Sequence, residues 1–292
     1  MSDPVVVVHA GAGTFGDDLR EQEAACRDAL ERALRSAAAE LEDGQDAVAA
    51  VRSAVTVMES FPLFNAGYGS ALCADGSVEM SAALMRGSDR AAGAVAAIKR
   101  TRHPILAAEA LLDAPLVLMI GERADEYAVA HGVEQWEPSG FVTARQRLRL
   151  EEFKARTTPP EHGTVGAVCL DSAGALAAAT STGGRTGQLP GRVGDSPLIG
   201  AGTWADRQVA VSCTGEGEAF IRAGAARLLA VLVEQGTPLE TATQAVLYEV
   251  KSCGGRGGLI AVDQRGNVTM PFSTDAMPRA VWRAGSETVA IP

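Results

Sequence analysis

His162-Gly163-Thr164-Val165-Gly166-Ala167-Val168, a turn at Asp171-Ser172-Ala173-Gly174, and Ala177-Ala178-Ala179-Thr180-Ser181-Thr182 form the stretch on which the reading of this chain depends. The two apolar runs flank a turn and predict a β-hairpin over 164–170 and 175–181. A threonine stands directly after a glycine at its start. An internal threonine hydroxyl is a poor nucleophile, but an N-terminal threonine carries its own base, because a free α-amino group titrates near pH ~8. A cut between Gly163 and Thr164 would therefore unite nucleophile and base in one residue. Gly163, lacking a Cβ, is expected to take unusual backbone angles that bring the Thr164 hydroxyl to the preceding carbonyl. The plainer alternative is that Gly-Thr-Val merely opens a strand.

The rest of the chain bounds what such a site could belong to. Its 292 residues, 47% of them hydrophobic, can fill a sizeable core. The formal net charge of −10 argues against nucleic acid or an anionic membrane as partner. The cysteines Cys26, Cys73, Cys169, Cys213 and Cys253 are widely spaced with no Cys-x-x-Cys pair, which fits reduced core residues and a cytoplasmic protein. His9, His103, His131 and His162 show no metal-binding spacing, and no signal or membrane segment is expected at the start.

Val5 to Val8 reads as a buried strand leading into His9-Ala10-Gly11-Ala12-Gly13-Thr14-Phe15-Gly16. That loop holds Gly-x-Gly-x-x-Gly, so a dinucleotide-dependent oxidoreductase using residues 11–16 is an alternative reading, weakened because no second β-branched strand follows the next helix. Helices are expected over about 19–41, 46–59, 104–112, 122–131, 219–234 and 239–250. Strands are expected over 77–86, 92–98, 116–120 (buried), 209–213, 259–262 and 268–272. Strands in runs beside paired helices suit packed sheets better than a repeating βαβ unit. Residues 134–163, with Arg145-Gln146-Arg147-Leu148-Arg149 and Thr157-Thr158-Pro159-Pro160, read as a mobile charged linker ending at the candidate cut.

Downstream, Arg192 and Asp195 lie three apart in a loop fixed by Gly191, Gly194 and Pro197. Together they match a zwitterionic amino acid, a fork for the α-carboxylate and an acceptor for the α-ammonium; a structural ion pair is the alternative. Thr214-Gly215, where a strand gives way to a helix, offers a hydroxyl and an N–H suited to an oxyanion hole, or else a simple helix cap.

Four ordered motifs carry a resemblance. Gly163-Thr164-Val165-Gly166-Ala167-Val168, Ser181-Thr182-Gly183-Gly184, Leu189-Pro190-Gly191-Arg192-Val193-Gly194-Asp195-Ser196-Pro197 and Cys213-Thr214-Gly215-Glu216-Gly217-Glu218 resemble the plant-type asparaginase and isoaspartyl peptidase family of N-terminal-nucleophile hydrolases. The similarity reaches upstream through His9 to Thr14 and Pro62-Leu63-Phe64-Asn65-Ala66-Gly67. It implies an α/β (α+β) fold of four layers, an αββα sandwich. It also implies autocleavage into an α subunit (1–163) and a β subunit (164–292), and a homodimer of such αβ units. Thr164 matches the nucleophile, Thr182 its hydrogen-bonding threonine, Arg192 and Asp195 the holders of the substrate's α-groups, Thr214 and Gly215 the oxyanion hole, and Gly217 the pocket wall. No catalytic cofactor is implied. The loop 58–68 resembles the family's sodium loop, with main-chain carbonyls of Met58, Glu59, Phe61, Phe64, Ala66 and Tyr68 around the ion.

Met80-Ser81-Ala82 and Met85-Arg86-Gly87 depart from the Leu-Asp-Ala and Met-Asp-Gly common in relatives. The activity implied is hydrolysis of β-aspartyl dipeptides and of the side-chain amide of asparagine, releasing aspartate. A third alternative is an amino-acid-binding relative that does not catalyse. Gly183, Gly184 and Gly217 are expected to leave open space on the leaving-group side, favouring dipeptides over asparagine.

Overall fold

Four consecutive valines decide how the chain begins, since β-branched side chains favour extended backbone. In the computed structural model, which describes residues 3–13, 17–155, 163–284 and 286–291 (Asp17 and Asp18 by backbone alone), Val5–His9 forms strand β1. Three helices follow, α1 (Asp17–Arg20), α2 (Glu23–Glu42) and α3 (Ala47–Glu59). Asp46 caps α3 by accepting from Ala49 N at 3.0 Å. Then come β2 (Met80–Arg86), β3 (Ala92–Ile98), α4 (Pro104–Glu109), β4 (Leu118–Ile120), α5 (Gly121–Ala130), α6 (Ala144–Ala155), β5 (Val165–Leu170) and β6 (Leu176–Thr182). The remainder is β7 (Thr203–Ala205), β8 (Val209–Gly215), α7 (Gly217–Ala223), α8 (Ala225–Glu234), α9 (Leu239–Ser252), β9 (Gly257–Asp263), β10 (Val268–Thr269), β11 (Arg279–Arg283) and β12 (Ser286–Ala290).

These strands make two sheets, one ordered β12-β11-β1-β5-β6-β2-β3-β4 and one ordered β10-β9-β8-β7. Alternation along β1 shows how they stack. Val6 and Val8 pack with Leu30 and Leu34 of α2 and Val51 and Val55 of α3. Val5 and Val7 face the other way, packing with Val168 and with Ala210, Ile260 and Val262 of the second sheet. The second sheet's far side, Val211 and Leu259, is covered by Phe220, Leu229 and Val246 of α7, α8 and α9. Two sheets thus lie face to face, flanked by helices. A strand buried on both faces is expected to be apolar at nearly every position, as β1 and β5 are.

Several expectations are corrected. Of residues 116–120 only Leu118–Ile120 form a strand, β4, and it lies at the sheet's edge, with Ile120 65% exposed, since an apolar run does not distinguish a central strand from an edge. The helix expected over 219–234 is divided at Gly224, whose φ of +57° breaks the right-handed path. Part of the expected linker is ordered: Pro138–Phe141 makes a 3-10 turn, and α6 anchors through buried Gln146 and Leu150. Residues 156–162, with Thr157 to Pro160 and His162, lie outside the described residues. β1 runs antiparallel to both β11 and β5, so it does not feed the parallel crossover that a dinucleotide site needs. Thr14 to Gly16 of that loop also lie outside the described residues.

Candidate active site

Hairpin register places Thr164 opposite Thr182, because Val165 pairs with Ser181. The Gly163 carbonyl oxygen lies 2.8 Å from Thr164 Oγ1 and 3.0 Å from Thr182 Oγ1, and accepts from Asn65 Nδ2 at 2.8 Å. Thr164 Oγ1 also lies 3.3 Å from Thr182 Oγ1, which accepts from Gly184 N at 3.0 Å. Thr164 itself is only 6% exposed. Asn65 is held rigidly: Oδ1 accepts from Ala71 N at 2.7 Å, Nδ2 also donates to Gly184 O at 2.7 Å, and its backbone oxygen accepts from Gly183 N at 3.0 Å.

The glycines here serve close approach. At Gly163 a Cβ would lie 2.8 Å from Asn65 Cβ. On Gly11 a Cβ would come within 3.1 Å of Thr164 N. Nor do Gly183, Gly184 and Gly217 leave open space. Their absent side chains would meet Ser70 and Asn65, Gln188, and Asp195 with Arg192, respectively. The expected openness is therefore not found at these glycines, because neighbouring atoms already fill it.

Gly217 instead reports that Arg192 and Asp195 converge, since one Cβ on it would lie 2.8 Å from Asp195 Oδ1 and 3.0 Å from Arg192 Nη2. Arg192 makes a two-pronged pair with Glu218, Nε to Oε1 and Nη2 to Oε2, both at 2.9 Å. Asp195 is buried and its Oδ2 has no hydrogen-bond partner among the described residues. Burial raises its pKa to about 7, against the partial offset of backbone N–H groups and the Arg192 charge. A buried carboxylate oxygen facing a site with no donor is suited to an incoming ammonium.

Thr214 is buried at the end of β8 and accepts from Ala12 N at 3.1 Å, which ties it to the loop of Gly11. Gly215 has φ +143°, with its α-carbon close against Arg256 O and Gly257. Beneath them runs a buried polar chain: His9 Nε2 to Ser212 Oγ at 3.0 Å, Ser212 to Thr180 at 2.7 Å, and Thr180 to Thr203 at 2.7 Å. Gly11 N donates to His9 Nδ1 at 3.3 Å. Burial holds the His9 pKa down to about 3, so the imidazole is neutral and works as a fixed hydrogen-bonding strut.

In the loop 58–68, Met58 O, Glu59 O and Phe61 O accept from Phe61 N, Tyr68 N and Phe64 N at 3.1, 2.8 and 3.1 Å. Each carbonyl keeps a second lone pair. Gly69 has φ +123°, and a side chain on it would lie 2.6 Å from both Pro62 O and Phe64 O. The Glu59 side chain is buried and accepts from Ser181 Oγ at 2.6 Å and Ile105 N at 3.0 Å, which joins this loop to the residue before Thr182.

Among the described residues, Asn65, Glu218 and the His9–Ser212–Thr180 chain had no role in the sequence reading. A lone asparagine inside the apolar run Leu63-Phe64-Asn65-Ala66 is a signal, because its amide must find internal partners. Nothing in the spacing indicates that Glu218 pairs with Arg192.

Known proteins bear on this geometry. A family model described as asparaginase matches residues 2–291. The isoaspartyl peptidase of Escherichia coli strain K12 is 43% identical, the alignment covering 98% of this chain and 94% of that protein. The isoaspartyl peptidase/L-asparaginase of Bos taurus is 41% identical over 97% of this chain and 94% of its own length, and that of Homo sapiens 40% identical over the same shares. With a match running nearly end to end, the chain belongs to the asparaginase family.

Proposed function

We propose that the protein is an autoprocessing threonine amidohydrolase, an isoaspartyl peptidase and L-asparaginase, releasing aspartate from β-aspartyl dipeptides and from the side-chain amide of asparagine. The observation that carries this reading is the Gly163 carbonyl, which gathers Asn65 Nδ2, Thr182 Oγ1 and the Thr164 hydroxyl within 3.0 Å. Thr164 Oγ1 attacks the Gly163 carbonyl carbon, and Asn65 with Thr182 stabilises the oxyanion. The carbon–nitrogen bond breaks, the hydroxyl proton passes to the departing amine, and water hydrolyses the ester. Two chains result, 1–163 and 164–292, and Thr164 gains a free α-amino group.

In the cut enzyme that amine takes the Thr164 hydroxyl proton during attack on the substrate's β-carbonyl. Thr214 and Gly215 stabilise the oxyanion, the leaving amine takes the proton, and water frees aspartate. Arg192 holds the α-carboxylate, sharing its guanidinium with Glu218. Asp195 takes the α-ammonium on its unpartnered Oδ2, while its Oδ1 lies beside Gly217. The layer order of helices, two sheets and helices supports the αββα arrangement of N-terminal-nucleophile hydrolases.

The same reading gives a homodimer of αβ units in the cytoplasm and a structural sodium ion, with no catalytic cofactor. Main-chain carbonyls of Met58, Glu59, Phe61, Phe64, Ala66 and Tyr68 would hold the ion. Gly69 fits this, since its missing side chain lets carbonyl oxygens of the loop converge, and such oxygens suit a hard cation. A bound ion there would supply charge to balance those dipoles.

Intact mass spectrometry of purified protein tests the proposal. Two fragments are expected, the second starting at Thr164, and Thr164→Ala should remain whole. Full-length wild-type protein that hydrolyses β-aspartyl dipeptides without being cut would overturn it.

A further inference from the structure

Arg192 is held along one side and open at its tip. Glu218 accepts from its Nε and Nη2 at 2.9 Å each, and Gln188 Oε1 accepts from Nη1 at 3.4 Å. A guanidinium carries five N–H bonds, so these contacts leave one on each terminal nitrogen. Nη1 and Nη2 together make the second fork of an arginine, the one a carboxylate meets end-on. The backbone around that fork is bare. A Cβ on Gly194 would lie 2.9 Å from Nη1 and 3.2 Å from Nη2, and one on Gly217 would lie 3.0 Å from Nη2 and 2.8 Å from Asp195 Oδ1. The tip of Arg192 and the Asp195 carboxylate therefore border the same spot.

From this geometry we infer that Glu218 is the positioning residue of the site: by gripping Arg192 along its side it turns the terminal fork toward the substrate's α-carboxylate, without touching substrate itself. This role rests on the function proposed above. A long arginine side chain left to itself samples many rotamers, and a two-pronged contact fixes the plane and the direction of its guanidinium together. The pair also sets the charge. Arg185 Nη1 approaches Glu218 Oε2 at 3.6 Å, so two arginines face one carboxylate and a surplus positive charge remains for an incoming anion.

Glu218 is itself fixed. It stands in the first turn of α7, directly after Gly217. Hydrogen bonds from Arg192, with the charges of both arginines, hold its carboxyl down to about 2, so it is ionised at neutral pH. The backbone of the Arg192 loop is anchored elsewhere: Gly191 N donates to Glu79 Oε2 at 2.6 Å, and Glu79 Oε1 pairs with Lys99 at 3.1 Å. Removing the Glu218 charge therefore frees the Arg192 side chain and leaves the loop in place.

The test compares β-aspartyl-leucine with its analogue in which the aspartyl α-carboxylate is a carboxamide. Processed wild type should hydrolyse the acid roughly 100-fold faster in kcat/KM, since the amide offers Arg192 no charge. Glu218→Gln keeps the side chain's length but sets an NH2 group against one prong of Arg192. It should lose roughly tenfold or more on the acid, mainly through KM, and little on the amide, so that the acid-to-amide ratio shrinks. Self-cleavage, which does not involve Arg192, should run at the wild-type rate by intact mass. Glu218→Asp, which keeps the charge and draws it back by one methylene, should fall between the two and supplies the same ratio if Glu218→Gln does not fold. An equal loss on acid and amide would make Glu218 a general support of the fold, and a gain on the acid would make it a competitor for Arg192; either result, or an unchanged ratio, would overturn the assignment. Wild type equally fast on acid and amide would withdraw Arg192 from the α-carboxylate, and wild type active on neither would sink the amidohydrolase reading; the role of Glu218 falls with either.

Discussion

Asp195→Asn removes a charge that the folded protein holds at a cost. Burial moves the Asp195 pKa from 3.8 to about 7, which at 1.36 kcal/mol per unit amounts to about 4 kcal/mol of instability once the group is ionised. Because the folded pKa lies above the unfolded one, folding takes up a proton between these values. Wild-type stability should therefore fall as pH rises from 3.8 through about 7 and level off above. An asparagine of the same shape does not ionise. The variant should match wild type near pH 4 and exceed it by roughly 2 to 4 kcal/mol at pH 8, most of the penalty of an unpaired buried carboxylate. The same variant loses the partner of the substrate ammonium, so kcat/KM on β-aspartyl-leucine should fall by roughly 100-fold or more. Urea titrations of both proteins, made uncleavable by Thr164→Ala so that unfolding is unimolecular, measure the first effect from pH 4 to 8.5. Processed enzyme measures the second. A stability difference that does not change with pH, or an Asp195→Asn enzyme as active as wild type, would refute the reasoning.

Three further outcomes are expected. Asn65→Asp keeps the side chain's shape but replaces the donor on the Gly163 carbonyl with an anion, and should slow self-cleavage by roughly 100- to 1000-fold, followed by gel electrophoresis over time after translation. Gly166→Ala would put a carbon 2.0 Å from Ser212 Oγ and 2.4 Å from His9 Nε2, between two sheets that cannot both yield; little soluble protein, or a melting temperature well below wild type, is expected. Processed enzyme should prefer β-aspartyl-leucine to asparagine in kcat/KM at one pH, because an added residue can bury area that ammonia cannot; equal values would remove the preference.

How far the sequence could be read follows from which forces act locally. The run Val5 to Val8 and the hairpin around Asp171 to Gly174 were legible because β-branched or small apolar residues and a turn signal act over a few residues. The convergence of Thr164 with Thr182 and of Arg192 with Asp195 was legible where chemistry restricts residue type. What depended on distant partners was not. The exposure of Ile120 follows from β4 having a neighbour on one side only. α6 was hidden because only Gln146 and Leu150 of its charged run are buried, and β12 because its exposed Ser286, Glu287 and Thr288 dilute the pattern. The pairing of Glu218 with Arg192 joins residues 26 apart across a loop and two strands, and no local pattern encodes it.

The strand order of the larger sheet has a consequence for any molecule cut at Gly163. β1 belongs to the first fragment, yet lies between β5 and β11, both of the second; β2 of the first lies against β6 of the second. Neither fragment has the larger sheet complete, so the cut makes the native state depend on a history it can no longer repeat. An intact chain finds this order by a search within one molecule, at any dilution. Separated fragments would have to meet first, and recovery from denaturant would vary with protein concentration. A cut there would convert a reversible fold into a kinetically guarded one, whose lifetime is governed by how slowly the interleaved strands come apart.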